Sequence, residues 1–220
     1  MKRTTVLLAM LLAIGQIAPA CHGPLTSPTG QPTTCEELFE ADLVDVSSSP
    51  MSDEDAKNWI LERYGVQASV GADYGSYHSF YWRTDGKYYD MLLTDNRVSL
   101  ATVWETGFPG VQQVLDCLGD PEYYRAYLDP TPGPTFTQLI LLYPSRGLSF
   151  GATLFEPVEA FEVTAPVKSV GYSKFGSIEE VILASAIIEP GSEQFNRILA
   201  SVRPWPGSLN RVVVDPPLSR

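Results

Sequence analysis

The chain has 220 residues, with 26 acids against 15 bases and a formal charge of −11. It therefore offers phosphate backbones no basic surface, which excludes nucleic acid as a partner, and it is poorly suited to adsorb directly on anionic lipid headgroups. Two histidines and three cysteines, with no C-x-x-C or H-E-x-x-H spacing, argue against zinc and against any resident metal or cofactor.

Residues 1–20 read as an export signal. Lys2 and Arg3 supply a basic start, Val6 to Ile14 an apolar run, and Ala18-Pro19-Ala20 a small-residue cleavage site. The run is shorter than the ~20 apolar residues a membrane-crossing helix needs. A short buried helix is the structural alternative. Ala18-Pro19-Ala20 fits ordinary signal cleavage, but Ile17-Ala18-Pro19-Ala20-Cys21 also resembles the bacterial lipoprotein box, with Ala18 where Leu is usual. Residues 22–34 carry no charge and are rich in Pro, Ser, Thr and Gly, the composition of a semi-rigid tether. The expectation is a lipid on Cys21, a tether over 21–50, and an extracytoplasmic, membrane-anchored protein facing the envelope. Loss of Lys2 and Arg3 with the leader brings the charge from −11 to −13.

Lipid on Cys21 leaves Cys35 and Cys117 to pair, closing about 80 residues for about 4 kcal/mol. Cys21–Cys35 is the rival pairing, closing about 15 residues for about 3 kcal/mol. The third reading has Cys117 as a buried thiol.

Ser47-Ser48-Ser49-Pro50 reads as a break. Ser52 is then a helix N-cap, with Asp53, Glu54 and Asp55 in the first turn, where the dipole favours negative charge. Ala56, Trp59, Ile60 and Tyr64 follow at helical spacing and Gly65 is the stop. Three strands are expected next, at Tyr77–Arg83, Tyr88–Leu93 and Val98–Trp104, joined by turns at residues 84–87 and 94–97. The pattern then repeats. Val111, Val114, Leu115 and Leu118 mark a helix closed by Gly119, and strands are expected at Tyr123–Leu128, Phe136–Tyr143 and Leu148–Phe155. Local matches accompany the order: Ile60-Leu61-x-x-Tyr64-Gly65 against Val114-Leu115-x-x-Leu118-Gly119, and Leu92-Leu93 against Leu141-Leu142, each with Arg five residues on. Two units are delimited, 51–106 and 107–203. The second also takes in a strand at Val167–Tyr172, a run at 178–188 that reads as helix or strand, and a helix from Ser192 to about Val202. Residues 204–220 are expected to be an irregular tail. The fold expected is α+β: antiparallel sheet with helices packed on one face, in two tandem helix-β-β-β units.

Val111-x-x-Val114-Leu115-x-x-Leu118-Gly119-x-Pro121, followed by Leu142-Tyr143-Pro144-x-Arg146-Gly147-Leu148-x-Phe150, resembles bacterial envelope lipoproteins of the SmpA/OmlA type and the related β-lactamase inhibitory protein fold. The resemblance covers roughly 107–155 and, more loosely, 52–104. It implies an antiparallel α+β domain that binds other proteins and performs no chemistry.

No nucleophile elbow accompanies His78, so it reads as a strand residue. The acids at 53–55 face different ways and read as helix-start charge. The most suggestive feature is an aromatic cluster including Tyr77, Tyr81, Trp82, Tyr88 and Tyr89. Strand alternation sends Tyr77 and Tyr81 one way and Phe80 and Trp82 the other. One set is core; the other is either an exposed platform or covered by a second layer. The first functional expectation is a non-enzymatic module binding another envelope or extracellular protein. The second is a glycan- or cell-wall-binding module using the Tyr77, Tyr81 and Trp82 region; an exported hydrolase ranks third.

Overall fold

The computed structural model describes residues 35, 39–74, 77–104, 110–129, 136–154, 158, 161, 165–173, 177–185 and 191–216. The export signal, Cys21 and the expected tether as far as residue 34 lie outside the described residues, whereas residues 39–50, also expected to be tether, are folded, with Leu43 and Val46 buried in the core because these apolar side chains pack there.

Helix α1 (Ala41–Val46) precedes α2 (Asp53–Tyr64), which starts where its chemistry directs. The Asp55 N–H donates to Ser52 Oγ at 3.2 Å while the Ser52 N–H donates to the Asp55 carboxylate at 3.1 Å, a reciprocal capping box. Gly65 ends the helix in the left-handed region at φ 68°. Four strands follow: β1 (Ser69–Tyr74), β2 (Tyr77–Thr84), β3 (Lys87–Thr94) and β4 (Val98–Trp104). The β2–β3 turn places Asp85 and Gly86 at positive φ, and the β3–β4 turn does the same with Asp95 and Asn96, as two-residue hairpins matched to strand twist require.

The second unit repeats this order, with α3 (Val111–Leu118), β5 (Tyr123–Asp129), β6 (Phe136–Tyr143), β7 (Leu148–Leu154) and β8 (Val167–Tyr172). Each unit therefore contributes a helix and four strands rather than three. β1 is the strand that the sequence pattern does not reveal, and β8 is the fourth strand of the second unit. Helices α4 (Ile178–Ser185) and α5 (Glu193–Ser201), a two-residue strand β9 (Arg203–Pro204) and short 3-10 turns at Pro144–Arg146 and Leu209–Arg211 complete the described elements. Of the ambiguous run at 178–188, residues 178–185 are helical. Its first turn is capped by Ser177, whose hydroxyl accepts from the Glu180 N–H at 3.3 Å.

All nine strands form one antiparallel sheet in the order β1-β2-β3-β4-β8-β7-β6-β5-β9. The two units meet through their last strands, β4 and β8, in register from Ala101↔Tyr172 to Trp104↔Ser169. The second copy extends the sheet instead of covering it. On one face, α1, α2 and α3 bury Leu43, Ala56, Ile60, Val111 and Val114 against Phe80, Met91, Val103, Leu139, Phe150 and Val170, all in one cluster spanning both units. Helices α4 and α5 form a smaller cluster of Ile182, Phe195 and Ile198. They belong to the opposite face: the Arg125 Nε donates to Ser201 Oγ of α5 at 2.8 Å, and Arg125 alternates along β5 with core-facing Tyr124 and Ala126.

The tail has little regular structure beyond Pro204 of β9 and a 3-10 turn at Leu209–Arg211, as expected, but it is packed in place. β9 pairs with Tyr123 and Tyr124, Leu209 and Val212 enter the main core, and the Asp215 N–H donates to the Ala126 carbonyl at 2.9 Å. Prolines break helix and sheet propagation but leave a chain free to lie along an edge, and here it clasps the outer edge of β5.

Candidate binding face

Sheet alternation sorts the aromatic cluster into two populations. Phe80, Trp82 and Tyr89 turn into the main core and are essentially inaccessible. Trp82 and Tyr89 stack at 5.2 Å with an interplanar angle of 8°, and both lie against Tyr64 of α2. This corrects the expectation that Trp82 and Tyr89 belong to a binding surface: α2 supplies the layer that covers them. The Trp82 Nε1 and Tyr64 hydroxyl are buried without hydrogen-bond partners among the described residues, so this aromatic stack carries unrelieved polar cost.

Tyr81 and Tyr88 turn the other way. Tyr81 is 36% exposed and Tyr88 is half-buried, with ring centroids 6.0 Å apart and inclined at 31°. The pair is therefore tilted and falls short of a flat platform. Tyr77 is half-buried near the start of β2, opposite Thr94. Of the five aromatic residues expected together, the structure brings only Tyr81 and Tyr88 together on this face.

Register fixes their neighbours. Tyr81 lies opposite Asp90 across β2–β3, and Asp90 lies opposite Thr102 across β3–β4. One step along, Arg83, Tyr88 and Trp104 form a parallel row. Toward the centre of the sheet both rows become small: Thr102 continues into Gly171 and Ser149, and Trp104 into Ser169 and Gly151. A Cβ on Gly171 would stand 2.5 Å from Ser149 Oγ, and one on Gly151 2.4 Å from Ser169 Oγ, so the serines occupy the space the glycines leave.

Asp90 is the residue that motif reading misses. Burial pushes its carboxyl up to about 6 from 3.8, opposed by a hydrogen bond from the Met91 backbone. Burial and the neighbouring Asp90 charge push the Tyr88 hydroxyl up to about 12, with Arg83 acting against them. A signal is nonetheless present in the sequence. Asp90 is the one acid within Tyr88–Leu93, and pairing outward from the Asp85-Gly86 turn puts it beside Tyr81.

The other residues singled out from the sequence have structural partners. Cys35 and Cys117 form a disulfide with Cα atoms 5.4 Å apart, joining the segment before α1 to the end of α3. His78 Nδ1 lies 3.0 Å from the Asp53 carboxylate, tying β2 to the start of α2. Among the described residues no group of three or more His, Cys, Asp or Glu side chains is arranged to hold a metal, and no helix is long and apolar enough to cross a membrane. A separate open cleft of about 730 Å³ lies between α3 and the C-terminal segment, lined by Gln112, Asp116, Asp120, Phe161 and Trp205 among others. Gln112 Nε2 donates to the Asp116 carboxylate there at 2.8 Å.

No protein family matches this sequence, and no curated protein does. Among solved structures it is similar to a cysteine-rich secretory protein from Staphylococcus aureus subsp. aureus Mu50, at 6% identity and a TM-score of 0.36. That match covers 59% of this chain and 45% of the other. So distant a likeness carries no functional argument.

Proposed function

We propose that the chain is an exported, lipid-anchored envelope protein that binds another protein through the sheet face bearing Tyr81 and Tyr88. The observation that carries the reading is the Tyr81–Tyr88 pair, turned away from the main core and next to an edge strand with no partner among the described residues. Aromatic side chains with polar tips supply large contact area at low entropic cost, and an exposed apolar edge invites a partner. On that edge Val70 is 52% exposed, although it lies opposite core-facing Phe80 and so on the other face from Tyr81. The opposite edge of the sheet is clasped by the C-terminal segment, so the two edges differ in availability. The Cys35–Cys117 bridge supports export, because such bonds persist in oxidising compartments, and it leaves Cys21 as the unpaired cysteine available for lipid.

The test is site-specific photocrosslinking from position 81 in the native envelope, with position 44 on α1 as an exposed control. A discrete adduct from position 81, absent from 44 and lost in a Tyr88→Ala background, is the expected result. Adducts of equal yield from both positions would defeat the reading. Retention on insoluble cell-wall glycan, abolished by Tyr81→Ala with Tyr88→Ala, would favour the glycan alternative. Intact mass of the processed protein tests the anchor: an unmodified N-terminal Cys21 removes it.

A further inference from the structure

Asp90 is an acid held where acids are seldom left. It is half-buried on β3, the third strand from the edge of the sheet, and the Met91 backbone donates to its carboxylate. The ion pairs of the described residues lie elsewhere: Arg63 with Asp42, His78 with Asp53, Lys87 with Glu40, Arg197 with Glu193 and Arg203 with Asp215. Arg83 stands across from Tyr88, one cross-strand row away, and acts on Tyr88 rather than on Asp90. A partly desolvated carboxylate with acceptor capacity to spare gains from a cation or donor that meets it.

Its immediate surroundings suit one kind of visitor. Directly opposite pairs on a sheet face stand about 5 Å apart, so Tyr81 and Thr102 flank the carboxylate, with the Tyr88 ring two residues along the same strand. Two rings beside an acid receive a long basic side chain well: the stem lies along the rings and the cation reaches the carboxylate. Thr102 is nearly fully buried, which closes the β4 side, while Tyr81 is 36% exposed and its ring lies beside Gly71 of β1, where a Cβ would stand 3.4 Å from Tyr81 Cδ1. The chain's surplus of acids attracts a basic partner over longer range.

We propose that Asp90, Tyr81 and Tyr88 form a seat for a single lysine or arginine side chain of the protein partner. The carboxylate takes the ammonium or guanidinium and the two rings line its stem. The inference rests on the protein-binding reading above and specifies the chemistry of what that face accepts. Binding favours the ionised acid.

The probe is N-acetyl-arginine methylamide, with N-acetyl-lysine methylamide as the second cation and N-acetyl-citrulline methylamide as the neutral isostere. Each is titrated into the full chain while the Asp90 carboxyl carbon and the Tyr81 and Tyr88 ring resonances are followed by NMR. Both cations should shift all three residues saturably and lower the Asp90 titration midpoint by about one pH unit, equivalent to about tenfold tighter binding to the ionised form. Citrulline should leave them unmoved. Asp90→Asn should abolish the effect in a protein of unchanged fold, and Tyr81→Ala should weaken it about threefold to tenfold while keeping the carboxylate. Equal shifts with citrulline, ring shifts without movement of the carboxyl midpoint, or no shift with either cation would overturn the inference. A partner crosslinked from position 81 with no cation effect overturns the seat alone. A cation effect with no crosslinked partner overturns the protein-binding reading alone.

Discussion

Asp90 also links protonation to folding, with a sign that its surroundings dictate. Its folded-state pKa of about 6 lies above the ordinary 3.8, so between those values the folded chain holds more protons than the unfolded one. Stability therefore falls as pH rises from about 4 to about 6 and then levels off, by on the order of 3 kcal/mol in all. Asp90→Asn cannot ionise and should lack this slope. Urea unfolding across that range should find the two proteins alike near pH 4 and the variant more stable at pH 7.5. Parallel profiles would mean that the carboxylate is solvated in the native state. The neighbouring residues show how finely alternation divides roles. Tyr81 and Trp82 are consecutive, yet one is exposed and the other lies beneath α2. Parity along the strand was legible in the sequence; which parity faced the core was not. That choice belongs to α2, whose Tyr64 is remote in sequence and packs only on the Trp82 side.

At the scale of elements, the readable parts were those with local chemistry. The Ser52 cap, the Asp85-Gly86 turn and the Gly119 stop each satisfy backbone requirements within a few residues, and each appears where expected. β1 was illegible because Val70-Gly71-Ala72-Asp73 lacks alternation, and its register with β2 shifts between Val70 and Asp73. Gly71 has its own reason to be there, since a Cβ would stand 2.3 Å from Ser79 Oγ. The C-terminal clasp was illegible for a different reason: its contacts are long-range. Arg203 pairs with Asp215, the Arg203 guanidinium also donates to the Val213 carbonyl at 3.2 Å, and the Leu128 N–H donates to the Asp215 carbonyl at 3.0 Å. Truncation after Val202 should therefore expose the β5 edge together with the core surface that Leu209 and Val212 cover. An unpaired, apolar edge is a template for association. Light scattering should show the truncated chain forming concentration-dependent oligomers, whereas Arg203→Ala alone should stay monomeric and lose no more than about 1 kcal/mol, as for a partly exposed ion pair. A truncated chain that remains monomeric would show that the clasp is dispensable.

The whole molecule poses the question of whether two similar units make one folding unit. The β4–β8 seam continues the sheet without interruption, and the main core runs as one cluster from Ile60 and Met91 in the first unit to Leu141 and Phe150 in the second. The disulfide adds a covalent tie across the units, from Cys35 before α1 to Cys117 in α3, over 82 residues. Loops of that length are worth about 4 kcal/mol through the entropy they remove from the unfolded chain. Two consequences follow from different causes and separate cleanly. Replacing both cysteines by serine should lower the thermal midpoint by about 10 °C for a protein of this size, while unfolding remains a single transition, because the seam and the shared core persist. Hydrogen exchange then tests the seam itself. In that variant the amides of Met91 in β3 and Leu141 in β6 should open with the same free energy, the global one. Distinct opening energies would mean that each unit has a sufficient core of its own and that the β4–β8 pairing only joins them. Equal energies would mean that neither unit buries enough apolar surface alone, which is the physical reason a second copy is needed at all.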